Sequence, residues 1–74
     1  MNIKEIWAQL GQQQRNDIMT SIVKEGMVSY STAAGWCNGS RVPLHLYRVK
    51  IREIFSRVLG KEYSVGQLWP ERRN

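Results

Sequence analysis

The 74-residue chain has few of the residues that build cross-links or metal sites. It contains one cysteine, Cys37, and one histidine, His45. A single cysteine excludes an intrachain disulfide, and one cysteine with one histidine cannot supply the ligands of a structural zinc site. We therefore expect no metal or other cofactor, and a protein of a reducing, cytoplasmic compartment.

Long apolar runs and catalytic motifs are also missing. The N-terminal segment MNIKEIWAQLG is too polar for a signal peptide, and no later segment approaches a membrane span. The sequence has no recognisable carboxylate pair, glycine-rich phosphate loop or HExxH motif. We expect neither a membrane partner nor an enzyme.

Acidic residues are scarce in one part of the chain. Eleven Lys and Arg residues face six Asp and Glu residues, which gives a net charge of +5. Through Cys37 the two signs cancel, so the excess lies from Asn38 onward, in Arg41, Arg48, Lys50, Arg52, Arg57, Lys61, Arg72 and Arg73. A positive excess on a small domain attracts polyanions, most often nucleic acid.

The length and the 42% hydrophobic content predict a single domain over residues 1–74 with a small core from about residue 3 to 69. We expect the tail after Gly60 to fold back on the core through Leu68 and Trp69, and residues 70–74 to be loose. A core of this size gives modest stability, which a homodimer would raise.

Two helices are predicted in the first third of the chain. Asn2 and Glu5 are typical of a capping box, so a short first helix is expected to end at Gly11. A second helix is expected to start between residues 12 and 17 and to run to Glu25, with Gly26 breaking it. The apolar faces of the two helices are Ile3, Ile6, Trp7 and Leu10, and Ile18, Met19, Ile22 and Val23.

A third helix follows the turn 26–28. Ser29 or Ser31 can cap its N-terminus, and Ala33 and Trp36 can face inward together because they lie three residues apart. Gly39 can adopt the left-handed conformation that ends a helix. This arrangement leaves part of the helix surface and the following loop free to face a partner.

The longest periodic stretch is 44–59, after Pro43. One stripe at helical spacing predicts a buried face made of Leu44, Tyr47, Ile51, Ile54, Phe55 and Val58. Leu46 and Val49 point away from this stripe, as ordinary surface or as a dimer contact.

The order of the helices and the pattern T-x3-W-x-N-G-x3-P from Thr32 to Pro43 resemble the lambda-repressor-like (Cro/repressor, XRE-type) helix-turn-helix family. The resemblance covers about residues 18–59 and implies a small all-α domain of four to five helices. Trp36 matches the apolar residue of the recognition helix, and Val28 matches the turn hydrophobe. The family's turn glycine falls on Met27, one residue after Gly26, which predicts an extra residue in the turn.

The resemblance implies the residues that would contact DNA. The residues that touch DNA fall on Ser29, Tyr30, Ser31, Ala34, Gly35 and Asn38, with phosphate contacts at Ser40 and Arg41. Among them Tyr30, Ser31 and Asn38 are expected to read the bases. Arg48 joins the phosphate contacts because it continues the positive surface that Arg41 begins. Gly35 would allow either close approach to the duplex backbone or the close crossing of another helix.

The expected function is sequence-specific binding of double-stranded DNA by a small transcriptional regulator, similar to phage or mobile-element repressors or to antitoxins. Two other functions remain open: a protein-interaction adaptor that uses Leu46, Val49 and the tail, and an RNA-binding domain. A second register also remains open, in which residues 31–37 form the first helix of the pair and the helix after Pro43 reads the DNA.

Overall fold

The computed structural model describes residues 1–70, which form five helices. These are α1 (Ile3–Ala8), α2 (Gln12–Gly26), α3 (Tyr30–Cys37), α4 (His45–Leu59) and α5 (Val65–Leu68). No strand occurs within this range, so the expected all-α fold is confirmed. None of the five helices has the length and apolar character that a membrane crossing requires.

Polar side chains start α1 and α3. The Glu5 backbone N–H donates to Asn2 Oδ1 at 3.0 Å, and the Asn2 N–H donates to Glu5 Oε1 at 2.9 Å, which confirms the predicted capping box. At α3 the Thr32 N–H donates to Ser29 Oγ at 3.2 Å. Ser29, and not Ser31, is therefore the N-cap of α3.

The prediction that Gly26 breaks α2 is wrong. Gly26 is the last helical residue, and Met27 takes the left-handed conformation with φ 54° and ψ 45°. The Met27 side chain is 90% exposed, so it gives up no packing in this position. Val28 follows, partly buried against the core, and Ser29 then starts α3. The left-handed residue of the turn is thus Met27 and not Gly26.

A single cluster of buried side chains joins the helices, with α4 packed along α2. Tyr47 of α4 stacks on Trp36 of α3, with the ring centroids 4.9 Å apart. Leu44 is the exception to the predicted stripe, because it is 75% exposed. It is the N-cap residue of α4, outside the helix, so the helical spacing does not turn its side chain inward.

The segment after α4 folds back on the core. Gly60 ends α4 in the left-handed conformation, and α5 then starts at Ser64, whose Oγ accepts from the Gln67 N–H at 3.0 Å. Leu68 and Trp69 are buried, which confirms the predicted anchoring. Of the tail predicted to be loose, Pro70 is exposed, and residues 71–74 lie outside the described part of the chain.

Candidate nucleic-acid interface

The outer face of α3 carries the polar and aromatic residues that the sequence assigned to base contacts. The inner face of α3 is made of Ala33, Trp36 and Cys37, which are buried, as the spacing predicted for Ala33 and Trp36. At the N-terminal end of α3 Tyr30 is 66% exposed, and Ser31 is exposed beside it. Ala34, one turn after Tyr30, is partly buried and extends this face toward the C-terminus of α3.

The serines at the start of α3 differ in what they can offer a partner. The Ser29 hydroxyl donates to Thr32 Oγ1 at 2.9 Å while it accepts from the Thr32 N–H. Ser31 Oγ lies 3.3 Å from Ser29 Oγ. Ser29 is therefore committed to the helix start, and Tyr30 and Ser31 are the more available side chains.

Gly35 is not exposed for contact with DNA. It is buried, and a Cβ atom placed on it would lie 3.2 Å from Arg41 Cδ and 3.5 Å from Ser40 Oγ. The Arg41 N–H and the Ser40 hydroxyl both donate to the Gly35 carbonyl oxygen, at 3.0 and 3.3 Å. Gly35 therefore makes room for the loop that follows α3, whose residues Ser40 and Arg41 lie against it.

Asn38 is the C-cap residue of α3, and its side chain contacts the loop that follows. Its Oδ1 accepts from the Ser40 N–H at 2.9 Å, although the residue is exposed. A bidentate contact to adenine needs both the oxygen and the amide N–H₂ of an asparagine. Because the oxygen already serves the loop, the surroundings of Asn38 favour its role as a helix end.

Arg41 and Arg48 lie at the same pocket, although they belong to different elements. The pocket also contains Lys4 of α1 and Gly39. Arg48 Nε donates to the Pro43 carbonyl oxygen at 2.8 Å, which holds the guanidinium group at the start of α4. Two of the predicted phosphate contacts, Arg41 and Arg48, are thus brought together.

Lys4 is a basic residue of this pocket that the sequence reasoning missed. The charge count of the N-terminal part cancelled it against acidic residues, which hides its position. A Cβ atom on Gly39 would lie 2.9 Å from Lys4 Cβ, so α1 approaches the end of α3 very closely. The only signal in the sequence is Gly39 itself, because a glycine permits such an approach without revealing what approaches.

The basic residues Lys50 and Arg57 of α4 are partly neutralised by an acidic residue of α2. Lys50 Nζ lies 3.7 Å from Glu25 Oε1, and Arg57 donates to Glu25 Oε2. The hydrogen bond from Arg57 and the charges of Arg57 and Lys50 hold the pKa of Glu25 below its ordinary value of 4.5. These two positive charges are therefore partly paired, whereas Arg41 and Arg48 form no ion pair within the described residues.

Within residues 1–70 no group of three His, Cys, Asp or Glu side chains is arranged to hold a metal ion. The arrangement instead combines an exposed tyrosine and serine on α3 with a loop and two arginines beyond its end. In comparisons with known proteins, no family model, no curated protein and no solved structure matches this chain.

Proposed function

We propose that this domain binds double-stranded DNA in a sequence-specific manner and acts as a small transcriptional regulator in the cytoplasm. In this proposal α2 and α3 form the helix-turn-helix of a lambda-repressor-like domain. Tyr30 and Ser31 contact base edges, while Ser40, Arg41 and Arg48 contact phosphates.

The observation that carries the proposal is the geometry between α2 and α3. The left-handed residue Met27 occupies the position of the family's turn glycine, and Val28 packs against the core next to it. Ser29 then caps a helix whose inner face is Ala33 and Trp36. This unit exposes the N-terminal part of α3, which is the part that reads the major groove in helix-turn-helix proteins.

The alternative register, with α4 as the reading helix, has less support. The central residues of α4, Ile51, Ile54 and Phe55, are buried in the core. The connection 38–44 between α3 and α4 is also longer than the turn between α2 and α3. We therefore assign base reading to α3.

The test is the selection of the purified protein against a randomised duplex library at near-physiological salt, followed by sequencing. An enriched motif is expected, and an inverted repeat within it would indicate a homodimer. The same selection with Tyr30→Ala should lose preference at one or two positions, while Gln13→Ala, an exposed residue of α2, is the control. Recovery of no motif by a folded wild-type protein would exclude sequence-specific binding.

Salt dependence distinguishes the proposal from a protein-interaction adaptor, whose apolar contact should hardly respond to salt, and competition distinguishes it from binding to RNA. For a protein that neutralises phosphates, the logarithm of the binding constant falls linearly with the logarithm of the salt concentration. The slope is about −0.9 per phosphate contact on duplex DNA. A competition between the selected duplex and single-stranded RNA of the same sequence should favour the duplex. Preference for the RNA would favour the RNA-binding function instead.

A protein-interaction adaptor is the second candidate function, and one observation favours it. Val42, Leu44 and Leu46 are exposed apolar side chains around the start of α4, and Leu46 is 84% exposed. The same surface would serve a homodimer. Analytical ultracentrifugation of wild type and Leu46→Ser tests this. A dimer that forms in wild type and not in the variant supports self-association. If both proteins are monomers, the surface does not serve a homodimer, and another protein is the partner it would bind.

A further inference from the structure

The pocket that contains Arg41 and Arg48 has the composition of a small-molecule site. Its volume is about 390 Å³, and it lies between the start of α1, the loop after α3 and the end of α5. Its apolar floor includes Val42, Leu68, Trp69 and Pro70, of which Val42 and Pro70 are exposed. A cavity of a few hundred Å³ with apolar walls and a few charged groups is the usual form of a ligand site.

Three cationic side chains line this pocket, and each comes from a different part of the chain. Lys4 belongs to α1, Arg41 to the loop and Arg48 to α4. Of the described residues that line the pocket, none is acidic. The ion pairs within residues 1–70 all involve Glu25 or Glu53, and none of them includes a cationic residue of the pocket. Three like charges around one cavity repel each other, so a bound anion would relieve this repulsion.

The pocket floor contains an unsatisfied polar group. Trp69 is 8% exposed, and its indole Nε1 is buried with no hydrogen-bond acceptor among the described residues. A buried donor without an acceptor is unfavourable, and such groups usually meet a water molecule, an ion or a ligand. An anionic oxygen is an acceptor of the required kind, so the indole N–H of Trp69 is a suitable reporter of a ligand in the pocket that Trp69 lines.

We propose that the pocket binds a small organic phosphate, with the phosphate group at Lys4, Arg41 and Arg48 and the organic part against the exposed apolar residues Val42 and Pro70. A phosphate monoester carries a charge of about −1.5 to −2 at neutral pH and three strong acceptor oxygens. This charge and these oxygens match three separate cationic donors better than a carboxylate does. The apolar floor favours an ester with an apolar body over inorganic phosphate.

The site does not depend on DNA binding, but its regulatory consequence rests on the proposed function. Arg41 and Arg48 would serve both the ligand and the phosphates of the duplex. An occupied pocket would therefore weaken DNA binding, and the domain would sense a ligand without a second domain.

The experiment is an NMR titration of the ¹⁵N-labelled full chain at constant ionic strength, with phenyl phosphate and inorganic phosphate as the probes. The indole N–H signal of Trp69 is identified by its loss in Trp69→Phe. Phenyl phosphate should shift this signal and the backbone amides of Gly39 and Arg41 in a saturable manner. It should bind about tenfold or more tightly than inorganic phosphate, because its ring buries apolar area.

Matched lysine variants test the assignment of the pocket. Lys4→Gln keeps the start of the side chain that packs on Gly39 and should weaken phenyl phosphate binding about tenfold. Lys24→Gln removes the same charge from the exposed surface of α2 and should bind as wild type does. The absence of a saturable shift, equal affinity for the two probes, or equal affinity of the two variants would each overturn the proposal.

A parallel titration with duplex DNA separates this proposal from the proposed function. If duplex DNA shifts the signals of the pocket and phenyl phosphate does not, the small-molecule site is overturned and the pocket is part of the DNA interface. Binding of phenyl phosphate by a protein that selects no duplex motif would support the site and reject the DNA-binding function.

Discussion

The side chain of Arg41 lies across Gly35 in the middle of α3. A Cβ atom on Gly35 would come within 3.2 Å of Arg41 Cδ, and the Arg41 N–H donates to the Gly35 carbonyl oxygen at 3.0 Å. A glycine inside a helix costs about 0.5–1 kcal/mol relative to alanine. In return, the loop after α3 folds back on the helix and holds Arg41 beside Lys4 and Arg48 at one pocket.

Two glycines that look alike in the sequence should respond in opposite directions to alanine. Gly26 is helical, and an added Cβ would meet nothing closer than 3.8 Å. Gly26→Ala should therefore raise the free energy of unfolding by about 0.5–1 kcal/mol. Gly39 has φ +82°, and a Cβ atom added to it would lie 2.9 Å from Lys4 Cβ. Gly39→Ala should therefore lower the free energy of unfolding by about 1–3 kcal/mol.

Urea unfolding of the two variants and the wild type measures both changes. The comparison is sharp because each variant adds one methyl group to a glycine near a helix end. A destabilised Gly26→Ala protein would mean that Gly26 needs its conformational freedom, as the sequence reasoning assumed.

The sequence predicted the elements whose signals are local. The capping box at Asn2 and Glu5 and the inward pair Ala33 and Trp36 each depend on residues within one or two turns, and the structure has them as expected. Gly39, the predicted left-handed end of α3, also follows from a local preference.

The errors came from positions that the local sequence pattern does not decide. The spacing of the stripe included Leu44 because periodicity does not say at which residue the helix begins. The left-handed turn fell on Met27 because the exposed side chain there loses nothing, whereas a local rule prefers the glycine beside it. The burial of Gly35 and the position of Lys4 depend on contacts across the fold, which no local pattern encodes.

Removing the Trp36 side chain should unfold the domain. Trp36 is buried and stacks on Tyr47, so Trp36→Ala leaves a cavity and costs about 3–5 kcal/mol, similar to the whole stability of a small domain. Circular dichroism during heating should show no cooperative transition. Trp36→Phe keeps most of the packing and should stay folded with a lower melting temperature. A folded Trp36→Ala protein that has lost only DNA binding would contradict the core assignment.

The ion pairs of Glu25 predict a dependence of stability on pH. Arg57 and Lys50 hold the pKa of Glu25 below 4.5 in the folded protein, so the unfolded chain takes up this proton at a higher pH than the folded one. The stabilisation is complete above the ordinary pKa and is lost as the pH falls through 4.5 toward the lower pKa of the folded state. Urea unfolding from about pH 7 to about pH 3 should show a smaller decrease for Glu25→Gln than for wild type.

High salt should reduce this difference, because the side chains involved are partly exposed and their charges are screened. Asp17→Gln is a matched control, since Asp17 is exposed and forms no ion pair within the described residues. An equal pH dependence of Glu25→Gln and wild type would show that the pairs form without stabilising the fold.

The thiol of Cys37 should report the opening of the core. Burial raises its pKa to about 12, and the thiolate is the form that reacts with alkylating reagents. Iodoacetamide at neutral pH should therefore modify the folded protein far more slowly than the urea-unfolded protein. Mass spectrometry gives the rates, and the rate in Gly39→Ala should exceed that of wild type because this variant opens more often. Rapid modification of a fully folded wild-type protein would contradict the burial of Cys37.

Arg41 and Tyr30 should affect DNA binding in different ways if the proposed function is correct. Arg41→Ala removes a charge that would contact phosphates, so affinity should fall by a similar factor for all duplexes and the salt slope should decrease by about one. Tyr30→Ala should instead reduce the preference for particular bases, at a cost of about 1–3 kcal/mol at a contacted base pair. Fluorescence anisotropy with the selected duplex and a scrambled duplex separates these effects, with Lys24→Ala as the charge control.

Thermal unfolding of each variant shows whether a loss of binding is a loss of fold. Tyr30 is 66% exposed, so Tyr30→Ala should leave the melting temperature nearly unchanged. Arg41→Ala removes the side chain that covers Gly35 and should lower the melting temperature slightly. If Arg41→Ala binds both duplexes as tightly as wild type does, Arg41 is outside the interface. Ligand binding in the pocket with Lys4 and Arg48 would then be the remaining role proposed for Arg41, and the phenyl phosphate titration would measure that binding directly.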